Sequence, residues 1–353
     1  MLTGLIVSFY ISLLTMLQGG EHATLLFAGD AMAHQAQLDA ASRQDGYDFS
    51  GCFDAIAGQV RAADFAAVNF ETTMGDTRYT GYPCFCTPDG FASELKKAGF
   101  DLFFTANNHT LDRRDKGLGR TIDILDEKGI PHIGTYHSKE HRDSVLPFIA
   151  NINGIKVGFL NYTYGTNGIT LKSDAVVDYI DTARIENDIH AARQAGAELM
   201  AVAVHWGDEY KLLPNSGQKS LANFLLRNGV DMVIGGHPHV IQPMEMRKTP
   251  DGKKQLLIYS LGNFISNMKT TDTRGGAMAS VHISRGDDGK ARVDSASYTL
   301  VFTEAPVKAG DNFRLVYADS LVSPRWLQQC LAFRKSATGI FSKHNVDVPE
   351  KHY

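Results

Sequence analysis

The sequence predicts an α/β fold of two stacked sheets covered by helices on both faces. Three observations lead to that prediction. Short apolar runs rich in β-branched and aromatic residues alternate with longer amphipathic stretches, as strands alternate with helices. A glycine follows each amphipathic stretch, and glycine accepts the left-handed backbone that closes a helix. Hairpin-type turns separate two pairs of strand-like runs, which adds antiparallel strands and makes the sheets mixed.

These patterns place individual elements. Six short apolar runs, each followed by a polar loop, are predicted to be buried strands at residues 24–28, 66–70, 102–105, 199–204, 232–234 and 256–260. Four amphipathic stretches, each closed by the next glycine, are predicted to be helices at residues 91–98, 121–128, 182–195 and 219–228. Asp89 and Asp181 lie where helix N-caps are expected, and a last helix is predicted to begin near Ser323 and Pro324.

Two hairpins are expected. Asn153-Gly154 is the strongest short hairpin signal in the chain, and a Gly-Asp-Asp-Gly turn at 286–289 is the second. Because short turns of this kind join antiparallel strands, each turn adds such a pair to the predicted parallel strands. The apolar runs that the turns separate lie at 146–151, 155–162, 278–284 and 291–300.

Composition narrows the class of protein. The 353 residues are 43 % hydrophobic and 21 % charged, which excludes intrinsic disorder and a polytopic membrane protein. With 35 basic and 39 acidic residues, the net charge is −4, so we expect no nucleic-acid partner, which would require a concentrated basic surface. The 4 cysteines are too few for a disulfide scaffold and form no CxxC zinc motif.

The amino-terminal residues indicate in which cellular compartment the protein is expected to act. Residues 1–17 are apolar or hydroxylic, and the first charged residue is Glu21. Such a stretch is intermediate between the apolar core of a signal peptide and a membrane span, which needs about 20 residues. We expect residues 1–20 to be a signal peptide or a membrane anchor, so that the protein is extracytoplasmic, either secreted or anchored. A buried N-terminal helix is the alternative, since no Lys or Arg precedes the apolar stretch.

Polar side chains that can bind metals follow the ends of six predicted strands. Ligands of open α/β sheets bind at the carboxyl ends of the strands. One polar strand end would be ordinary surface, whereas six together indicate a shared site. The residues, in strand order, are Asp30; Asn69 and Glu71; Asn108, His109 and Asp112; His205; His237 and His239; and Asn263.

The donor types indicate which cation such a site would bind. Imidazole combined with carboxylate suits Zn, Mn or Fe, whereas an all-oxygen set would favour Ca or Mg. Pro238 separates His237 from His239 and restricts their directions, and the preceding Gly235 and Gly236 leave room for close approach. Because no cysteine takes part, we expect a catalytic metal centre rather than a structural thiolate site.

The chain carries these residues in ordered segments: Asp30, Asn69-Phe70-Glu71, Ala-Asn-Asn-His-Thr-Leu-Asp at 106–112, His-Trp-Gly-Asp-Glu at 205–209, Gly-His-Pro-His-Val-Ile-Gln-Pro at 236–243, and Ser-Leu-Gly-Asn-Phe at 260–264. Together they resemble the CapA-type family of bacterial capsule and poly-γ-glutamate synthesis proteins, which is related to the calcineurin-like metallophosphoesterases. The resemblance implies a four-layer αββα sandwich of two mixed sheets flanked by helices. It also implies a site for two divalent metal ions between the strand ends.

Ligands follow from the resemblance residue by residue. A first cation would be held by Asp30, Glu71 and His239, and a second by Glu71, Asn108, His205 and His237. The chain departs from the pattern at Met32, where metallophosphoesterases carry a histidine, so the first site is expected to be weak. His34 is close enough in sequence to be considered as a substitute.

The resemblance also suggests residues that act on the substrate. His109 resembles the histidine that donates a proton or hydrogen bond to the substrate, and Asp112 would orient it. Asn69, Asn263 and Arg113 are expected substrate contacts. Three further residues would lie around the ligands or on the ordinary surface, namely Glu209, Gln242 and Glu245.

These features predict a metal-dependent hydrolase or transferase in capsular poly-γ-glutamate biosynthesis or processing. Its partners would be an anionic polymer or a phosphorylated substrate, together with a membrane synthase complex. One alternative is a non-catalytic, membrane-tethered accessory protein that holds the polymer beside a synthase, and another is a phosphoesterase. We expect one domain over residues 21–290, with residues 291–353 as a strand and helix extension packed on it.

Overall fold

The computed structural model describes residues 21–75, 78–319 and 322–353. The signal peptide or membrane anchor expected at residues 1–20 lies outside these ranges and stays a prediction. Among the described residues, no helix combines the length and the apolar character that crossing a bilayer requires.

The strands, numbered in chain order, are β1 (His22–Ala31), β2 (Ser42–Arg43), β3 (Gly46–Tyr47), β4 (Phe65–Phe70), β5 (Leu102–Phe104), β6 (His132–Ile133), β7 (Thr135–Tyr136), β8 (Phe148–Ile152), β9 (Ile155–Thr163), β10 (Val176–Val177), β11 (Leu199–His205), β12 (Met232–Gly236), β13 (Ile241–Lys248), β14 (Lys254–Leu261), β15 (Asn263–Ile265), β16 (Gly275–Arg285), β17 (Ala291–Glu304) and β18 (Arg314–Tyr317). The helices are α1 (Gln35–Ala41), α2 (Ala57–Ala62), α3 (Asp89–Ala98), α4 (Arg114–Glu127), α5 (Lys139–Val145), α6 (Thr182–Gln194), α7 (Ser216–Arg227) and α8 (Leu327–His344), with a 3₁₀ turn at Thr271–Thr273.

Two mixed sheets form the centre of the described structure. The first has the order β18-β17-β16-β1-β4-β5-β6, with β15 also paired to β1. Within it, β1, β4, β5 and β6 run parallel, so their carboxyl ends share one edge. The second has the order β13-β14-β12-β11-β9-β8, in which β9, β11, β12 and β14 run parallel. Each sheet therefore brings several strand ends, and the polar residues that follow them, to one edge.

Hydrophobic clusters hold the layers together. Alternate residues of a strand point to opposite faces, and β1 shows this alternation. Phe27 packs between the sheets against residues such as Phe159 of β9, while Leu26 faces the helices α1 to α4 on the outside of the first sheet. On the outer face of the second sheet, α6 and α7 pack through residues such as Ile185 and Leu225. The order of layers is helix, sheet, sheet, helix, which confirms the predicted fold class.

Most of the predicted elements are confirmed, with shifted ends. Asn153 and Gly154 have φ of 48° and 90°, the left-handed pair that a tight hairpin between β8 and β9 requires. Asp181 caps α6 by accepting from the Arg184 N–H. Asp89 is the first helical residue of α3 rather than its N-cap, which is Pro88.

Two helices begin at residues other than those predicted. Helix α4 begins at Arg114, well before residue 121, because the polar turn after β5 leads straight into it. The last helix begins at Leu327, after a turn that contains Pro324. The boundary expected at residue 290 stays a prediction, and β17 beyond it pairs with β16 from Ala291 to Phe302.

Candidate metal centre

Five donor side chains from both sheets converge at the strand ends. Asp30 lies near the end of β1, Glu71 directly follows β4, His205 is the last residue of β11, and His237 and His239 follow β12. All five are at most 3 % exposed. His239 Nδ1 lies 3.4 Å from Asp30 Oδ2, and His205 Nε2 lies 3.6 Å from Glu71 Oε1. Residues far apart in the sequence therefore share one buried polar cluster.

Asp30, Glu71 and His205 form the first donor group. One ligand atom of each lies within 4.8 Å of the others. The Asn69 amide connects them, since its Nδ2 donates to Asp30 Oδ1 at 2.8 Å and to Glu71 Oε2 at 3.3 Å. The Asn108 Oδ1 lies 2.9 Å from His205 Nε2, so it offers a further oxygen to the same space.

Glu209, His237 and His239 form the second donor group, also within 4.8 Å of one another. Unlike the two histidines, Glu209 is exposed. His237 and His239 have φ of 98° and 57°, a backbone conformation that non-glycine residues rarely adopt. Strained residues of this kind cluster at functional sites, where the surrounding structure enforces them. Here they direct two imidazoles toward one cluster.

Two buried donor atoms in the cluster have no hydrogen-bond partner, namely Glu71 Oε1 and His237 Nδ1. A buried polar atom without a partner is costly, and two such atoms at one place suit the ligand atoms of a cation site. Burial and the neighbouring Asp30 raise the pKa of Glu71 well above its ordinary value. The residues therefore fit a divalent cation, which would compensate the adjacent buried carboxylates.

Burial also controls the protonation of the histidines. It lowers the pKa of His237 to about 4, with the neighbouring His239 as the next cause. It lowers the pKa of His205 well below the ordinary value, and His237 adds to this effect. Neutral imidazole is the form that ligates metals, so both residues are ready to bind a cation at neutral pH.

Gly236 leaves the space that the Asp30 carboxylate occupies. A Cβ at Gly236 would lie 2.7 Å from Asp30 Oδ1 and 3.6 Å from His205 Nδ1. Gly29 is similarly constrained, because a Cβ there would lie 2.0 Å from the Gly262 carbonyl oxygen. Both glycines are explained by close approach at the site rather than by turn geometry.

His109 and Asp112 form a buried pair beside the donor groups. His109 Nδ1 lies 2.7 Å from Asp112 Oδ2, and the same oxygen accepts from the Phe85 N–H at 2.6 Å. The Phe85 ring meets the imidazole edge-on, with centroids 4.7 Å apart. Since Asp112 takes Nδ1, the Nε2 atom of His109 is the nitrogen left for a substrate.

The other residues expected to act on the substrate differ in placement. Asn263 is buried, and its Oδ1 lies 3.0 Å from His239 Nδ1, so it can orient that imidazole. The Arg113 guanidinium donates to Thr80 Oγ1 and to the Arg78 carbonyl oxygen. It lines a separate cavity of about 220 Å³ together with Arg78, Lys116 and Arg120. Arg113 and Asn69 stay predictions as substrate contacts.

Two residues near the site were not expected from the sequence to bind the metal. Tyr164 follows β9, and its ring lies 4.6 Å from that of His237 between centroids. Glu209 was expected either around the ligands or on the surface, and the structure puts it with His237 and His239. The sequence signals for Glu209 are its position four residues after His205 and its place in the His-Trp-Gly-Asp-Glu segment, and the adjacent Asp208 nearly shares both.

Comparison with known proteins gives the family. The family model described as "Bacterial capsule synthesis protein PGA_cap" matches residues 24–268. The chain is 25 % identical over 291 residues to "Capsule biosynthesis protein CapA" of Bacillus anthracis, which covers 78 % of this chain and 66 % of that protein. It is 26 % identical over 289 residues to "PGA biosynthesis protein CapA" of Bacillus subtilis (strain 168), covering 80 % and 73 %. The chain thus spans about two thirds of the length of the first relative.

A solved structure with a similar fold is the NAD nucleotidase NadN of Haemophilus influenzae. Its TM-score is 0.50 at 13 % identity, over 89 % of this chain and 62 % of that one. At this identity the similarity concerns the fold alone. The family match covers more than half of the chain and includes every donor residue described above. The chain therefore belongs to the bacterial capsule synthesis protein family PGA_cap.

Proposed function

We propose that this protein is a metal-dependent hydrolase or transferase that acts on an anionic capsular polymer of the poly-γ-glutamate type. The observation that carries the proposal is the pair of buried, unpartnered donor atoms, Glu71 Oε1 and His237 Nδ1, within one cluster of carboxylates and imidazoles. The names of the CapA relatives support a role in capsule or PGA biosynthesis.

The metal site would use residues of both sheets. Asp30, Glu71, Asn108, His205, His237 and His239 would hold two divalent cations of the Mn, Zn or Fe type. When bound, such cations supply Lewis acidity and a nucleophile active at neutral pH. Asn69 keeps the carboxylates in place, and Asn263 orients His239.

His109 would act on the substrate. Asp112 accepts the Nδ1–H and fixes the orientation of the ring, so protonated His109 can deliver the Nε2 proton to the leaving group. A phosphoester or a γ-glutamyl amide bond suits this arrangement. Arg113 and the basic cavity beside it would attract the negative charges of the polymer.

The compartment and the partner belong to the same proposal. With residues 1–20 as a signal peptide or anchor, the metal site would lie outside the cytoplasm, beside a membrane synthase that makes the polymer. Fractionation of cells that express the complete chain tests this localisation.

The enzyme hypothesis is tested with His237→Ala. The wild-type protein should contain bound metal by elemental analysis and hydrolyse either a phosphodiester or a γ-glutamyl polymer, and the variant should lose turnover at least 100-fold. His190→Ala is the control, because His190 is exposed on α6 and contacts Gln194 instead of the site. A wild-type protein that retains metal but turns over neither substrate contradicts the hydrolase.

Met32 favours a second candidate function. Because a methionine stands where a metal ligand is expected, the protein would then bind polymer without cleaving it, as a membrane-tethered accessory to the synthase. Polymer binding that persists in His237→Ala, with no turnover in the wild type, would select this alternative.

A further inference from the structure

The metal site proposed above lacks one ligand that its family resemblance leads us to expect. Met32 occupies that position, and it is 1 % exposed. His34, the nearest histidine in sequence, belongs to neither donor group of the described residues. Its Nδ1 accepts from the Asn267 N–H at 3.3 Å.

Glu209 brings a further carboxylate to His237 and His239. A carboxylate oxygen of Glu209 and one nitrogen each of His237 and His239 lie within 4.8 Å of one another. Metal–ligand bonds of about 2.0–2.2 Å bring the ligands of one cation to within this range of one another. The three side chains are therefore candidates to share one cation, and one carboxylate with two imidazoles is a common ligand set for Zn and related cations.

The backbone around Glu209 is held firmly although the side chain is exposed. On one side of Glu209, a Cβ at Gly207 would lie 2.6 Å from the Gln218 side chain, so only glycine permits this packing. On the other side, the Gln242 amide donates to the Lys211 carbonyl oxygen at 2.7 Å. Gln218 and Gln242 are both buried and hydrogen-bonded to each other at 2.7 Å. The two glutamines therefore clamp the loop on both sides of Glu209.

The same loop is tied directly to the histidines. The Tyr210 N–H donates to the Pro238 carbonyl oxygen at 2.9 Å, and Pro238 lies between His237 and His239. Tyr210 has a φ of 65°, so this connection holds a third non-glycine residue in the left-handed region. A surface carboxylate without a function would need neither the buried clamp nor this strain.

We infer that Glu209 is a further ligand of this metal site, on the side of His237 and His239, in addition to the six residues that the resemblance implies. This inference rests on the proposed metal-dependent function. Glu209 thereby completes the cluster from the solvent side, whereas Asp30, Glu71 and His205 form its buried side.

The test compares Glu209→Gln with Asp208→Asn in metal binding. Asp208 is the matched control, because it is adjacent, and its carboxylate accepts from Asn215 instead of facing the histidines. The chain is stripped with a chelator and titrated with Mn²⁺ by calorimetry, which reports affinity independently of turnover. Glu209→Gln should weaken the affinity of at least one ion by tenfold or more, while Asp208→Asn should bind as the wild type does.

The outcomes separate the two proposals. Equal Mn²⁺ affinity in Glu209→Gln and wild type overturns the role of Glu209 and leaves the metal site intact. A wild type that takes up no Mn²⁺, Zn²⁺ or Fe²⁺ overturns the proposed function and this inference with it. Circular dichroism verifies that both variants are folded, which is expected because both substituted side chains are exposed.

Discussion

At the scale of single residues, the site depends on the positions where side chains are small or backbones are strained. His237 and His239 hold left-handed φ values on either side of Pro238, and Gly236 precedes them without a side chain. Left-handed backbone at a bulky residue costs about 1–3 kcal/mol and persists only where the surrounding structure enforces it. The strained loop and the adjacent glycine together allow two imidazoles to approach a buried carboxylate.

Gly236→Ala is predicted to disrupt the site. The new Cβ would lie 2.7 Å from Asp30 Oδ1 and must displace it, because Asn69 already holds that oxygen. Mn²⁺ affinity should fall at least tenfold, and overpacking should lower the free energy of unfolding by about 1–3 kcal/mol. Calorimetric titration and urea unfolding measure the two effects.

Gly339→Ala is the control for that substitution. Gly339 lies within α8, and a Cβ there would have no atom within 4 Å. Replacing it should stabilise the protein by about 0.5–1 kcal/mol, because alanine is the better helix former, and should not change metal affinity. If Gly236→Ala binds Mn²⁺ as tightly as Gly339→Ala does, Asp30 is not a ligand.

The sequence identifies most donors of the site but does not show how they are grouped. Polar residues at strand ends and the Gly-His-Pro-His segment single out Asp30, His237 and His239, because strand direction alone brings them to one edge. Glu209 cannot be recognised in this way, since its placement depends on the Gln218–Gln242 clamp. That clamp joins α7 to β13, and no local pattern encodes such a contact.

At the scale of secondary-structure elements, the sequence predicts best those features that depend only on residues adjacent in the chain. Glycine after a helix and Asn153-Gly154 between two strands determine backbone geometry without help from the rest of the chain. Strand β13 escapes prediction because Pro243 interrupts its apolar pattern, and proline usually argues against a central strand. In the structure β13 is an edge strand of its sheet, where a missing N–H donor is tolerated.

Arg142 on α5 is predicted to be the main electrostatic link between elements on the helical side of the second sheet. Its Nε donates to Asp178 at 2.6 Å, and its guanidinium also binds Asp188 of α6. The Asp178 side chain is 1 % exposed. Arg142→Met leaves these carboxylates without their main partner, so the free energy of unfolding in urea should fall by about 3 kcal/mol or more.

Lys139→Met in the same helix is the comparison for Arg142→Met. The Lys139–Asp143 pair is solvent-exposed, so its loss should not shift the urea midpoint measurably. Equal midpoints for the two variants would refute the link. The link also reaches towards the candidate metal centre, since Tyr162 of β9 donates to Asp188, and β9 leads directly into Tyr164 beside His237.

At the scale of the whole molecule, the site lies where the two sheets meet, and the sheets contribute different chemistry. The first sheet supplies the carboxylates Asp30 and Glu71, whereas the second supplies His205, His237 and His239. The carboxyl-terminal segment makes another connection between the sheets. The Val346 N–H donates to Met244 of β13, and the Lys351 N–H donates to Tyr298 of β17. A cation at the site would add a direct link between the two sheets.

Removal of the metal is therefore predicted to destabilise the entire fold and not only the site. Dialysis against a chelator should lower the melting temperature by several degrees, and restoring Mn²⁺ or Zn²⁺ should reverse the change. At a free metal concentration 100-fold above Kd, each ion adds about 2.7 kcal/mol to the free energy of unfolding. His237→Ala should melt at nearly the same temperature with and without chelator, because it has lost most of the stabilisation that bound metal provides. If the wild type is as insensitive to the chelator as His237→Ala is, the two sheets are held together without a cation, and the buried Glu71, whose pKa burial raises, must be neutralised by a proton instead.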